Sequence, residues 1–327
     1  MHLTFRRALL ALSFVAAATA EESPAYKAIG GSPNEVLKEL AEKGTNPYIF
    51  TDDFEFSKAP PDRRVDENGK PVHVFPKRYN PDCWAASLDL TGVAWYSGIN
   101  GVAITPRHII SAAHWNNLPH VISFVSEKPG KDGETKVGVG FIPVKGKDHP
   151  AFKPTLVTIQ DRPVCWINLG NDVAIATTTA PLPDSVAIYP LPAPVAAADR
   201  EGLIGRTLLA TTWSDDLHQP DPRGIRLAGL RKVYKFSQET MWYAQDDRLP
   251  ADLYFPAVIG DSANPLFFVG TRDKQLVLAS QFSGGGPGTG SYLGSAEIQD
   301  NIRRYIAASP APNEKLKLYN LETGEIK

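Results

Sequence analysis

Three short segments hold residues whose types could act together on a carbonyl. Ile104 to His114 reads Ile-Thr-Pro-Arg-His-Ile-Ile-Ser-Ala-Ala-His, a β-prone run that ends in small residues and then an imidazole. A catalytic base needs close packing behind it and an open face in front, and the paired alanines before His114 suit the first need. Asn171 to Ala176 sets a carboxylate, Asp172, at the head of an apolar run, where the start of a buried strand can hold it against an imidazole. Gly260 to Pro265 reads Gly-Asp-Ser-Ala-Asn-Pro. Glycine next to serine in a tight turn lets backbone N–H groups converge on a reacting carbonyl. Taken singly these are ordinary features: a packed histidine, a turn before a strand, a turn tripeptide. In this order they supply a base, a group that orients it, and the nucleophile Ser262.

The elements that must position them are short. With 28 Pro and 26 Gly in 327 residues, the chain is punctuated for many strands rather than long helices. Gly92 to Tyr96, Gly101 to Ile104, His108 to Ala112, Val121 to Val125, Val137 to Val144 and Asp172 to Thr177 read as strands. A proline-dense stretch, about 181–200, reads as an extended connector. Thr207 to Thr212, Gly224 to Tyr234, Leu253 to Val258, Pro265 to Val269 and Gln275 to Phe282 read as a second set of strands. Ile298, Ile302 and Ile306 recur every four residues, one face of a helix over about 296–307, and a polar tail, 309–327, follows. Near the other end Asn34 caps a short helical pattern formed by Val36, Leu37, Leu40 and Ala41, and Gly44 closes it.

Composition excludes several classes. The formal charge is −2, from 34 Lys and Arg against 36 Asp and Glu, so no basic excess points to nucleic acid. The first twenty residues read as a secretory signal: Arg6 and Arg7, an apolar run from Ala8 to Ala17, then Ala18-Thr19-Ala20. The chain is therefore expected to be exported, periplasmic or secreted, with residues 21–76 as an N-terminal extension. No later stretch is long and apolar enough to span a membrane. Two cysteines, Cys83 and Cys165, lack zinc-type neighbours, so no metal is expected. Export permits a disulfide between them, and two buried thiols are the alternative. No cofactor is implied.

Together the three segments resemble those of the chymotrypsin-like, or trypsin-like, serine proteases. That family carries Thr-Ala-Ala-His, Asn-Asp-Ile-Ala-Leu and Gly-Asp-Ser-Gly-Gly-Pro, in the same order. The resemblance spans roughly residues 84–308. It implies an all-β fold of two packed antiparallel barrels, about 84–180 and 201–293, with a C-terminal helix, in a domain spanning 77–308. It implies a polypeptide substrate and a triad of His114, Asp172 and Ser262, with the N–H groups of Gly260 and Ser262 as oxyanion hole. An esterase on the same triad, or an impaired site serving as a binding scaffold, are the alternatives.

The chain departs from the family in four places. Ala263 and Asn264 stand where two glycines are expected, and Asn264 is the residue whose tolerance of positive φ would keep the turn. Ile99 and Trp115 stand where the family often bridges the histidine loop with a disulfide. No Arg-Ile-Val-Gly-Gly activation site precedes the domain, so Asp261 is expected to find a partner other than a freed N-terminus. Pro256, rather than an acid, lies six residues before Ser262, which argues against Arg or Lys as the preferred residue. Pro256, Ser280, Gln281 and Phe282 are the expected pocket, apolar or small.

Overall fold

The computed structural model describes residues 34–49, 79–96, 99–114, 121–125, 134–140, 153–154, 166–213, 226–256, 261–284 and 288–327. The signal-like segment, Gly260, Trp115 and Cys165 lie outside the described residues.

The architecture is mostly β. The first sheet holds β1 (Val93–Tyr96), β2 (Ile99–Thr105), β3 (His108–Ala112), β4 (Val121–Val125), β5 (Glu134–Gly140), β6 (Lys153–Pro154), β7 (Ile167–Asn168) and β8 (Val173–Thr178). Its order is β3-β2-β1-β4-β5-β8-β7-β6, antiparallel throughout, and β8 also pairs with β3. β3 is buried along its whole length, between β2 and β8, so its run shows no polar alternation.

A short β9 (Leu191–Pro192) lies in the proline-rich connector. A closed six-stranded barrel follows, ordered β10-β11-β12-β15-β14-β13: β10 (Thr207–Trp213), β11 (Arg226–Ser237), β12 (Thr240–Ala244), β13 (Pro265–Val269), β14 (Leu276–Gly284) and β15 (Thr289–Ser291). Leu208, Ala210, Val233, Tyr243, Leu266, Val277 and Phe282 fill the barrel. The opposite parity, with Leu209, Ala228, Leu230, Phe267 and Leu278, joins Val102, Ile104, Ile110 and Ile175 of the first sheet in one shared core. Period-2 alternation thus splits each barrel strand between two buried faces.

Both expected helices form. α1 (Glu35–Lys43) is capped by Asn34, whose side chain accepts from the Leu37 N–H at 3.1 Å and donates to the Val269 carbonyl at 2.7 Å. α2 (Ala296–Ala308) starts at Ser295 and buries Ile298, Ile302 and Ile306 in the shared core. Among the described residues no helix is long and apolar enough to cross a membrane.

One expectation needs correction and two others are sharpened. Leu253 to Val258 does not form a strand over its described part: a 3-10 turn, Ala251–Leu253, ends there and irregular chain follows. Pro250 precedes that segment and Pro256 lies within it, where a proline cannot donate to a ladder. Cys83 is a free, buried thiol, and burial pushes it up to about 11, far from thiolate reactivity. The polar tail also returns to the body, since β16 (Leu318–Tyr319) pairs in parallel with β9.

Candidate functional site

Strand register places the first two residues. Ala112 on β3 faces Val173 on β8, so the residues just past each strand end, His114 and Asp172, are brought together. The Ala113 N–H donates to the Asp172 carbonyl at 3.0 Å and locks the approach. Asp172 sits in a tight turn in which Gly170, Asn171 and Asp172 all take positive φ, at 89°, 49° and 57°. Asn and Asp are the non-glycine residues that tolerate this region best, which is why Gly-Asn-Asp opens the strand. The turn is braced from elsewhere. Asn168 accepts from the Gly170 N–H at 2.8 Å, Asn301 of α2 donates to the Leu169 carbonyl at 3.1 Å, and the Ser291 hydroxyl of β15 donates to the Asn171 carbonyl.

The Asp172 carboxylate then grips His114 twice. Oδ1 accepts the His114 backbone N–H at 2.7 Å, and Oδ2 accepts ring Nδ1–H at 2.7 Å. The proton on Nδ1 leaves Nε2 as acceptor, 2.8 Å from Ser262 Oγ. The side chains of His114 and Asp172 are 39% and 23% exposed, so the array opens to a substrate. All three residues expected from sequence are joined by hydrogen bonds. Among the described residues no cluster of His, Cys, Asp or Glu could hold a metal.

Ser262 is held by the turn before β13 and by its partner β14. The Ala263 N–H donates to the Phe282 carbonyl at 2.7 Å, and the Phe282 N–H donates to the Asn264 carbonyl at 2.9 Å. Here the expectation for Asn264 was misplaced: the positive φ, 67°, falls on Ala263. Asn264 instead donates its side-chain amide to Asp261 Oδ1 at 2.8 Å, while Thr212 Oγ1 donates to Oδ2 at 2.7 Å. Asp261 is 1% exposed. The buried Arg226 guanidinium is attracted to the same carboxylate and donates to Asn100 Oδ1 of the first sheet at 3.2 Å. Burial pulls Arg226 down to about 9, against the opposing pull of Asp261. Among the described residues Thr212, Asn264 and Arg226 thus attend Asp261, and their types gave no signal of it in isolation.

The two departures beside Ser262 therefore have different weights. Ala263→Gly relieves about 1–2 kcal/mol of left-handed strain but loses a buried methyl, about 0.8 kcal/mol, and adds about 0.5–1 kcal/mol of chain entropy. Its unfolding free energy should stay within about 1 kcal/mol of wild type. Asn264→Gly strips a donor from a buried carboxylate and should cost about 1–3 kcal/mol. Urea denaturation of the two variants checks the contrast, and equal losses would refute it.

Of the expected pocket, Phe282 lies directly against the Ser262 turn, Ser280 and Gln281 are buried in β14, and Pro256 is exposed. Ser280 faces Gly290, where any side chain would collide with its hydroxyl and with the Gln281 carbonyl. Ser262 is the described member of the expected oxyanion pair.

A second Ser–His–acid array lies elsewhere and was not singled out from sequence. His108 Nδ1 is 2.7 Å from Thr105 Oγ1 and 3.1 Å from Glu314 Oε2, and Nε2 is 2.9 Å from Ser309 Oγ. His108 is 0% exposed, so no substrate reaches it, and the array fastens the tail to β2 and β3. Burial lowers its pKa, outweighing Glu314, so it folds neutral. The unfolded chain binds a proton near pH 6.5 that the folded chain refuses. Stability is full above that pH and falls as pH drops toward the lower folded value, by up to about 1.4 kcal/mol per unit. His108→Gln should flatten the slope in urea midpoints measured from pH 8 to 5. An unchanged slope would assign the loss to other groups.

No family model matches the chain, and no curated protein matches it by sequence.

Proposed function

We propose that the chain is an exported serine endopeptidase of the trypsin-like kind. The observation that carries the reading is the continuous relay from Asp172 through His114 to Ser262, with bonds of 2.7 and 2.8 Å. The closed barrel and the antiparallel first sheet are compatible with that fold, and the β3–β8 pairing supports reading β1 to β5 and β8 as the other barrel.

In this reading Ser262 Oγ attacks the scissile carbonyl carbon while its proton passes to His114 Nε2. The new C–O bond makes a tetrahedral oxyanion, which the N–H groups of Ser262 and Gly260 would receive. Asp172, already bonded to Nδ1–H, stabilises the imidazolium without taking its proton. His114 then hands that proton to the leaving nitrogen as the C–N bond breaks, leaving an acyl-serine. Water repeats the sequence and frees the acid. The Asp261 anchorage supports an enzyme that needs no freed N-terminus.

A fluorophosphonate probe tests the reading. It should label the wild-type protein at Ser262, and Ser262→Ala should abolish labelling. A folded wild-type protein that never labels would overturn it. Labelling with cleavage of esters alone would narrow it to an esterase, and labelling with no turnover of either substrate would leave the scaffold alternative.

A further inference from the structure

We infer that β15, the three-residue strand Thr289–Ser291, is the spacer that sets the reach between the His114 imidazole and the Ser262 hydroxyl, with Ser291 as a positioning residue. The inference rests on the peptidase reading above and adds a residue to that same site.

Strand β15 lies between β12 and β14 in the barrel, and it reaches both ends of the array. On the β14 side, Gly290 faces Phe282. Phe282 holds the Ser262 turn: its carbonyl accepts the Ala263 N–H at 2.7 Å, and its N–H donates to the Asn264 carbonyl at 2.9 Å. One residue further along β15, the Ser291 hydroxyl donates to the Asn171 carbonyl, in the peptide that leads into Asp172. Asp172 holds His114, and His114 Nε2 returns the line to Ser262 Oγ at 2.8 Å. Chain and hydrogen bonds thus close a ring through Ser262, Phe282, Gly290, Ser291, Asp172 and His114. In such a ring the seat of one strand fixes the gap between base and nucleophile.

Two features hold that seat. Gly290 admits no side chain, because a Cβ there would collide with the Gln281 carbonyl and the Ser280 hydroxyl of β14. Glycine inside a strand marks the close approach of a neighbouring backbone, so β15 is drawn tight against β14. At the other end Asn171 and Asp172 take φ of 49° and 57°. Non-glycine residues adopt that region at a cost and keep it only where their surroundings over-determine it. Ser291 is part of those surroundings: it is 7% exposed, and its hydroxyl is spent on the turn. Asn301 of α2 steadies the far side of the turn through the Leu169 carbonyl at 3.1 Å. Ser291 is therefore the brace that refers the Asp172 turn to the strand pair holding Ser262. Proton transfer requires Nε2 within hydrogen-bond reach of the hydroxyl, and a misplacement of about 1 Å costs about 10²-fold in rate.

The test uses the full chain and two readouts, the rate of fluorophosphonate labelling and the proton NMR resonance of His114 Nδ1–H. Ser291→Ala should slow labelling by about tenfold, the worth of one hydrogen bond, and should shift or broaden that resonance. Ser291→Thr keeps a hydroxyl and should restore both. Gly290→Ala should push β15 off β14 and slow labelling by about 10²-fold. If Gly290→Ala fails to fold, the two Ser291 variants carry the test alone. Asn34→Ala, which loosens the cap of α1, is the stability control and should label at the wild-type rate. Ser291→Ala that labels at the wild-type rate with its resonance unmoved overturns the inference and leaves the peptidase reading intact. So does a slowing that Asn34→Ala matches at an equal urea midpoint. A wild-type protein that never labels overturns the peptidase reading, and the resonance then decides the inference: moved in Ser291→Ala it stands, unmoved it falls.

Discussion

Asp172→Asn is expected to slow acylation of Ser262 by about 10⁴-fold while leaving the fold in place. The two bonds from Asp172 to His114 dictate the reason. The backbone N–H of His114 donates to Oδ1, so the amide oxygen of an asparagine must stay there. That turns the amide NH₂ toward ring Nδ1, which must then accept. The ring proton moves to Nε2, and Nε2 can no longer take the Ser262 proton at its 2.8 Å distance. Stopped-flow labelling with a fluorophosphonate measures the rate, and the urea midpoint should barely move. Labelling at the wild-type rate would mean that the carboxylate only positions the loop.

The second large effect belongs to Asp261. Removing it as Asp261→Ala takes away the carboxylate that attracts the buried Arg226 and Arg231 and strips the turn of its bonds from Thr212 and Asn264. A buried charge stripped of its partner costs about 3–5 kcal/mol, and Ser262 should lose labelling with its turn. The same anchorage predicts indifference at the N-terminus. A chain carrying an N-terminal tag and a chain trimmed by limited proteolysis should label at equal rates. A large gain on trimming would show that an ammonium, and not Thr212 and Asn264, completes the turn.

The hydrogen-bonded array of Asp172, His114 and Ser262 was legible because each member sits in a local pattern that also sets its backbone: small residues before His114, Gly-Asn-Asp before β8, Gly-Asp-Ser before β13. β3, β4 and β13 match their expected bounds, since apolar runs flanked by turns leave little choice. β12 and β15 escaped notice. Thr240–Ala244 carries Met, Trp and Tyr without a clean alternation, and Thr289–Ser291 is only three residues long. Arg226 and Arg231 were read as ordinary strand positions. They lie five apart on one strand and so face opposite ways, one toward the first sheet and one into the barrel. Nothing local tells a buried arginine from an exposed one, because its partners come from distant segments. Asn264 was misread for a related reason: its side chain answers to Asp261, a tertiary demand that propensity does not carry.

The bracing of the Asp172 turn limits how this chain could be recombined. His114 and Asp172 both come from the first sheet, yet Ser291 of β15 and Asn301 of α2 hold the loop that aims them. A chimera that exchanged the chain beyond the connector for a foreign half would inherit His114 and Asp172 intact and still misaim them, unless the donor half offered a hydroxyl and an amide at those two positions. The two halves are thus a matched set, and shuffling, whether by an engineer or by gene rearrangement, has to move the loop and its braces together.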